Sequence, residues 1–111
     1  MLQNIKAPLR KLSPEGDGMH YFFGYYDISG FSDDDRRHLC HRVPFMDRMP
    51  TASDMAQLGV IDIGSGTFTA LAETRAWNFQ QGAMLQCYPY GGVDTFLYND
   101  YSAECSFHCV I

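Results

Sequence analysis

The stretch QLGVIDIGSGTFTALAE, from Gln57 to Glu73, decides the fold class of this chain. Two strand-like runs rich in apolar and β-branched residues, 57–63 and 67–73, flank the tripeptide GSG at residues 64–66. Short glycine-containing reversals of this kind join strands that pair antiparallel to each other. The centre of the chain is therefore predicted to be a β-hairpin.

Short strand-like runs continue on both sides of this hairpin, and turn-forming residues separate them. Gly24 interrupts the first, aromatic run, and the Asp-rich turn SDDDRR at residues 32–37 precedes the next. Ser53 is expected to cap one short helical turn inside the long connection 44–56. Because no longer helix is indicated, the sequence predicts an all-β fold of antiparallel strands. The predicted strands outside the hairpin are 19–31, 38–43, 82–90, 95–101 and 106–111.

The predicted strands form two sets that have the same order. After an N-terminal arm at residues 1–18, a first set lies within 19–73 and an incomplete second set within 74–111. A four-stranded antiparallel sheet that repeats along a chain is the unit of a β-propeller, so we predict about one and three-quarter blades. Closed propellers of this type need about six to eight blades. We therefore expect a fragment of a larger propeller; a complete chain would self-associate through its exposed sheet edges or remain poorly ordered.

Several segments carry a resemblance to a known family. FSDDDRRHLCHRV, residues 31–43, is similar to the hairpin of TolB-like propellers, and GVIDIGSGTFTALAET resembles the strand–turn–strand that closes such a blade. The ordered set HYFFGYYDISGFS, HRVPFMDR and ETRAWNFQQGAMLQ resembles the N-terminal part of large bacterial propellers related in architecture to oligogalacturonate lyase. The resemblance spans residues 19–111 and implies a β-propeller of the kind that processes glycans.

Charge and hydropathy argue against two classes of partner. The net charge of −5 provides no basic stripe to neutralise phosphates, so we predict no nucleic-acid partner. No apolar run is long enough to span a bilayer, and the first 18 residues lack the apolar core of a secretory signal. The sequence therefore predicts no membrane partner and a cytoplasmic location.

The four cysteines favour reduced, buried thiols over a disulfide framework or a metal site. Cys40, Cys87, Cys105 and Cys109 are irregularly spaced, unlike the cysteines of a small disulfide-rich domain. On a strand, His108 would point away from the face that Cys105 and Cys109 share. We predict no metal ligand in this chain. The cofactor of a full-length propeller stays open, and a divalent metal is one alternative.

The segment ETRAWNFQQG, residues 73–82, is the candidate functional segment because it contains the one tryptophan beside a guanidinium and three amides. In a propeller it would connect two blades across the upper face, where the 44–56 connection and the residues before Tyr21 also arrive. Propeller ligands commonly bind at this mouth. The residues expected to converge there are Met19, His20, Tyr21, Phe45, Asp47, Arg48, Arg75, Trp77, Asn78, Gln80 and Gln81.

The chemistry of this set suits an acidic sugar. Aromatic faces stack on the C–H side of a pyranose, arginine holds a carboxylate with two hydrogen bonds, and amides bind hydroxyl groups. We assign His20 as the candidate general base, with His41 as an alternative, and Arg75 as the group that stabilises developing charge. The predicted substrate-binding residues are Tyr21, Asp47, Arg48, Trp77, Asn78, Gln80 and Gln81.

Each assignment has a purely structural alternative. Trp77 would pack between blades, Arg75 would pair with a nearby carboxylate at the surface, and His20 would be a hydrogen-bonded core residue. Two functions therefore remain open from the sequence. One is a propeller that binds or processes carbohydrate, as a lyase or hydrolase on acidic oligosaccharides when full length. The other is a non-catalytic scaffold for peptides or proteins, because propellers host both.

Overall fold

The computed structural model describes residues 8–24, 28–32, 34–87, 95–101 and 107–110, and all regular elements in these ranges are β-strands. These ranges contain no helix that is long and apolar enough to cross a bilayer. The all-β prediction is confirmed for this part of the chain. The strands are β1 (His20–Phe22), β2 (Arg37–Val43), β3 (Ala56–Asp62), β4 (Phe68–Thr74), β5 (Gln86–Cys87), β6 (Phe96–Tyr101) and β7 (Phe107–Val110).

The strands form two antiparallel sheets, each of which follows chain order. The first sheet has the order β1-β2-β3-β4, and the second has the order β5-β6-β7. A four-stranded antiparallel meander followed by a second one is the sequence of elements that a propeller would require. The described residues form two open sheets and not a ring of blades, so the propeller stays a prediction.

The central hairpin forms where the sequence predicts it. Compared with the prediction, β3 begins and ends one residue earlier, and β4 begins and ends one residue later. The amide of Asp62 donates to the carbonyl of Thr67 at 2.9 Å, and the amide of Gly66 donates to the carbonyl of Asp62 at 2.7 Å. The Asp62 carboxylate accepts from the amide of Ser65 at 2.8 Å. Gly66 has a φ of 74°, which is a conformation that favours glycine. The reversal is therefore encoded by residues within the turn itself.

Two predicted strands are interrupted by residues with positive φ. In the aromatic strand predicted at 19–31, β1 covers His20–Phe22, and Gly24 with a φ of 123° lies just beyond its end. In the strand predicted at 82–90, β5 covers Gln86–Cys87 and does not include residues 82–85, because Gly82 and Met84 have φ values of 61° and 54°. Such left-handed residues cannot continue a strand. The predicted strand and turn positions at 25–27, 33, 88–94, 102–106 and 111 lie outside the described residues.

The helical turn predicted at Ser53 is wrong. Residues 51–54 form a reverse turn, in which the amide of Asp54 donates to the carbonyl of Thr51 at 3.1 Å. The Asp54 carboxylate then accepts from the amide of Thr51 at 2.7 Å. Because the carboxylate bonds back three residues, the segment closes on itself and does not propagate as a helix.

The core lies on one face of the first sheet. Leu39 and Val43 of β2 and Leu58 and Ala56 of β3 belong to one buried cluster, together with Trp77, Ala83 and Leu85 from the segment after β4. Of the cysteines with described side chains, Cys40 is buried and Cys87 is half-buried, and both are free thiols. Burial raises the pKa of Cys40 to about 12, so its thiol stays protonated and behaves as an apolar group.

Thr74 joins the two sheets through its buried hydroxyl. Its Oγ1 lies 2.8 Å from the carbonyl oxygen of Asn99 and 2.9 Å from a carboxylate oxygen of Asp100, both on β6. The same oxygen accepts from the amide of Ala76 at 3.0 Å. The hydroxyl thus connects groups on both sides of the junction, and its loss would remove these hydrogen bonds from a buried position.

We expect Thr74→Val to destabilise the chain by about 2 kcal/mol, because valine keeps the shape and removes all of these hydrogen bonds. Urea unfolding followed by circular dichroism measures this effect. Thr69→Val on the same strand is the matched control, because Thr69 is exposed. Equal unfolding midpoints for the two variants would contradict a junction held by the hydroxyl.

Candidate functional site

Three connections meet at one end of the first sheet, as the sequence predicts. His20 at the start of β1 pairs with Val43 at the end of β2, and Ala56 at the start of β3 pairs with Thr74 at the end of β4. Three segments therefore meet at the same end of the sheet: the residues before β1, the 44–55 loop and the segment after β4. This register brings the segments that carry the candidate residues to one end of the sheet.

A cleft of about 400 Å³ opens at this end of the sheet. The 44–55 loop forms one wall, the segment 75–84 forms the other, and Asn99 of β6 contributes from the second sheet. Four residues predicted from the sequence line it, namely Arg75, Trp77, Asn78 and Gln81. The side chains of Asn78 and Gln81 are exposed, and that of Arg75 is half-buried.

The segment after β4 is folded into a tight turn that presents amide side chains. The backbone N–H of Asn78 donates to the backbone carbonyl of Gly82 at 3.3 Å, and the backbone N–H of Gly82 donates to that of Asn78 at 2.8 Å. The Asn78 Oδ1 accepts from the amide of Gln81 at 2.7 Å, which leaves its Nδ2 to donate outward. Gln80 lies in the same turn and is exposed, but it does not line the cleft.

Trp77 is a packing residue, as the structural alternative holds. Its side chain is 8% exposed, and its ring lies 5.1 Å from Phe79, 5.8 Å from Phe22 and 6.0 Å from Phe45. Its Nε1 donates to the carbonyl of Asp54 at 3.0 Å. The indole therefore anchors the 44–55 loop to the core, and only its edge is left to border the cleft.

Arg48 holds the 44–55 loop in shape and is not directed into the cleft. Its guanidinium bonds both carboxylate oxygens of Asp54, at 2.7 and 2.9 Å, and lies 3.8 Å above the ring centre of Phe45. The guanidinium, together with the amide of Thr51, holds the pKa of the Asp54 carboxyl far below its usual range. Asp47, next to Arg48, is exposed on the same loop.

Tyr21 and His20 lie apart from the cleft lining. Tyr21 projects from the opposite face of the first sheet, where its hydroxyl donates to Asp17 and its ring meets Phe68 edge-on at 5.4 Å. His20 is half-buried at the correct end of the sheet, but the cleft does not reach it. The structure therefore does not bring the predicted base and Arg75 together in the cleft.

His41, the alternative base, is wrong for that role. Its side chain is fully buried, and both ring nitrogens bond backbone groups. Burial lowers the pKa of His41 to about 4, so the ring stays neutral at ordinary pH. A histidine in this position has no route to a substrate proton.

The described lining of the cleft is polar and carries one positive charge. Its described lining supplies one guanidinium, three amide side chains and the hydroxyl of Thr51, with no carboxylate or imidazole. The described part of the chain also contains no cluster of His, Cys, Asp and Glu suited to a metal ion. Hydrogen bonding and charge pairing are therefore what this arrangement can offer a ligand.

A second, larger cleft of about 500 Å³ opens at the opposite end of the first sheet. Leu39, Val60, Leu71 and Phe96 provide mostly apolar walls, and Arg37 and Asp62 lie at its rim. The amide-rich turn that the sequence singles out is not part of it. Its lining matches a space between two packed sheets better than a site for a hydroxylated ligand.

Comparisons with protein-family models, with curated proteins and with solved structures found no match to this chain. The cleft therefore has to be interpreted from its own residues. Sequence reasoning missed Met84 and Asn99 as lining residues. No local signal in the sequence identifies them. Met84 reaches the cleft because its φ is left-handed, and Asn99 reaches it because its backbone N–H donates a hydrogen bond to the carbonyl of Ala83 at 2.7 Å.

Proposed function

We propose that this chain is part of a carbohydrate-binding β-propeller of the TolB-like type, and that the cleft at the end of the first sheet binds acidic oligosaccharides. The observation that carries this proposal is the lining of the cleft by Arg75 together with the amides of Asn78, Gln81 and Asn99. A guanidinium suits a uronate carboxylate, and amides suit the sugar hydroxyls because each both donates and accepts.

Rigid walls support the assignment of this cleft to binding. The 44–55 loop is braced internally by Arg48 and Asp54 and is tied to the core through Trp77. The opposite wall is closed by the backbone bonds between Asn78 and Gly82. Because these walls are already ordered, a ligand would lose little affinity to ordering them.

Binding, without turnover, is the activity proposed for this chain. A lyase would need a base beside the group that stabilises the developing negative charge. The described lining offers Arg75 but no base, and His20 lies outside it. In a larger propeller a base or a divalent metal would have to come from other blades.

We expect the full chain to bind a galacturonate trimer more tightly than a neutral galactose trimer, as measured by isothermal titration calorimetry. Arg75→Gln should weaken binding of the acidic trimer about tenfold or more, because a charge-assisted hydrogen bond is lost. The same change should leave binding of the neutral trimer nearly unaltered. Arg36→Gln is the matched control, because Arg36 is an exposed cation in the turn at the other end of the sheet.

Equal binding of the two trimers, or no binding of either, would contradict the proposal. So would a loss of affinity in Arg36→Gln as large as that in Arg75→Gln, since a nonspecific charge effect would then explain the preference. Formation of unsaturated uronate by the chain alone would also contradict the binding-only assignment.

A protein-binding scaffold is the second candidate, and exposed methionines favour it. Met46, Met49 and Met55 of the 44–55 loop are 61%, 72% and 46% exposed. Flexible thioether side chains on a braced loop are suited to contact varied apolar surfaces. Concentration-dependent sedimentation of the chain that disappears in a Met46→Ser, Met49→Ser variant would favour this candidate, with self-association as its simplest form.

A further inference from the structure

His41 is a buried titratable group that the proposed binding site does not use. It lies in the middle of β2, opposite Leu58 of β3, and its side chain is 0% exposed. The ring of Phe22 stacks on it with a centre-to-centre distance of 4.7 Å and an angle of 13°. A histidine so enclosed must satisfy both ring nitrogens inside the protein.

Both ring nitrogens of His41 are hydrogen-bonded to backbone groups, and these two hydrogen bonds fix the tautomer of the ring. The amide of Ala83 donates to Nε2 at 2.9 Å, so Nε2 must carry a lone pair and no proton. Nδ1 therefore carries the proton and donates to the carbonyl of Phe22 at 3.3 Å. The neutral ring bridges β1 and the segment that forms one wall of the cleft.

The ring also packs directly on the backbone of that wall. A Cβ at Gly82 would lie 2.5 Å from Cε1 of His41, so no side chain fits between them. Gly82 has a φ of 61°, and both Gly82 and the neighbouring Gln81 line the cleft. The imidazole therefore contacts the cleft wall without an intervening side chain.

We propose that His41 is a proton-operated latch: its neutral ring holds residues 82 and 83 against the first sheet, and its protonation releases them and loosens the cleft. The consequence for ligand binding rests on the proposed function, whereas the latch itself does not. A proton on Nε2 would place an N–H donor against the N–H of Ala83. The hydrogen bond from Ala83 to Nε2, which joins the cleft wall to the first sheet, would then be replaced by repulsion.

The direction of the pH dependence follows from burial. Burial lowers the pKa of His41 from 6.5 to about 4 in the closed protein, and the carbonyls of Phe22 and Phe23 oppose this only in part. The closed form is therefore fully favoured above pH 6.5 and becomes less favoured as the pH falls towards 4. The equilibrium for opening should rise about tenfold for each pH unit in this window.

Among the residues that the structure describes, no charged group faces His41 from the elements packed on it. Phe22 of β1, Leu58 of β3 and the backbone of residues 82 and 83 surround the ring. The titratable residues beside it on β2, Cys40 and Arg42, point to the other face of the sheet, as does Tyr21 on β1. The remaining titratable residue on β1 is His20, on the same face and two residues before Phe22.

Amide hydrogen exchange at Ala83, measured by NMR on the full chain between pH 6.5 and 4, tests the latch. After correction for intrinsic exchange, protection of the Ala83 amide should fall about tenfold per pH unit, while that of Leu39 in β2 stays nearly constant. In His41→Gln the amide oxygen replaces Nε2 as acceptor and cannot be protonated in this range, so the pH dependence should vanish. His38→Gln, on the other face of the same strand, should keep the wild-type dependence.

Constant protection of Ala83 in the wild-type chain would overturn the latch, and so would an unchanged pH dependence in His41→Gln. If His41→Gln does not fold, the pH titration of the His41 ring in the wild-type chain replaces it. A ring that protonates near 6.5 without loss of Ala83 protection would then overturn the proposal.

Titration with the galacturonate trimer over the same pH window separates the latch from the proposed function. Weaker binding at acid pH in the wild type but not in His41→Gln supports both proposals, and the comparison cancels protonation of the ligand itself. Absence of binding at every pH, with a pH-dependent Ala83 amide, refutes the proposed function and leaves the latch standing. Binding with a pH-independent Ala83 amide refutes only the latch.

Discussion

Trp77→Ala is expected to destabilise the chain by about 3–5 kcal/mol, which is the range for removal of a large aromatic side chain from a core. The indole packs against three phenylalanine rings, of which Phe79 is the nearest at 5.1 Å. Its Nε1 also donates the bond that ties the 44–55 loop to the core through the carbonyl of Asp54. Since small domains are stable by only about 5–15 kcal/mol, this one change should remove much of the total.

Urea unfolding followed by far-ultraviolet circular dichroism measures the effect without depending on tryptophan fluorescence. Trp77→Phe is the matched control, because it keeps an aromatic ring and loses mainly the bond to Asp54. We expect it to cost about 1–2 kcal/mol. An unfolding midpoint in Trp77→Ala equal to that of the wild type would mean that the ring does not stabilise the fold. The role predicted from the sequence, stacking on a sugar ring, would then be favoured.

Gly59→Ala is expected to have the next largest effect, about 3 kcal/mol, because there is no space for a side chain at this point of β3. A Cβ on Gly59 would overlap the carbonyl oxygen of Thr69 on the paired strand and lie 2.9 Å from the ring of Phe68. The irregular register between Leu58 and Gly59 brings β4 over this position. The obstacle includes backbone, so it cannot be relieved by a change of rotamer.

In Gly59→Ala, the shift of β4 away from the added Cβ should also change the contacts of Phe68. Its ring meets Tyr21 edge-on at 5.4 Å and lies 4.5 Å below the guanidinium of Arg42. Gly64→Ala, in the neighbouring hairpin turn, is the control, because its added Cβ would meet only the Asp62 side chain at 3.3 Å. If the two alanine variants unfold at the same urea concentration, the close approach of β4 to Gly59 is not a constraint on the fold.

The candidate site was predictable in position but not in composition. The 73–82 segment and the 44–56 connection could be assigned to one end of the sheet because antiparallel strands alternate in direction. The sequence could not separate Arg75 and Asn78, which line the cleft, from Arg48, whose guanidinium is bound to Asp54. Whether Arg48 lines the cleft depends on a carboxylate six residues away and on the path of the loop between them.

The sequence alone determined the all-β class, the central hairpin and the order of the strands, because their signals are local. Residues 64–66 and the Asp-rich turn at 32–37 form their reversals with bonds that span only a few residues. Only the tertiary structure decided that β1 ends before Gly24 and that Trp77 belongs to the core. The same is true of the role of His41, whose partner Ala83 lies 42 residues away along the chain. Burial and hydrogen bonding over such separations depend on how two sheets meet, and no short pattern of residues encodes that.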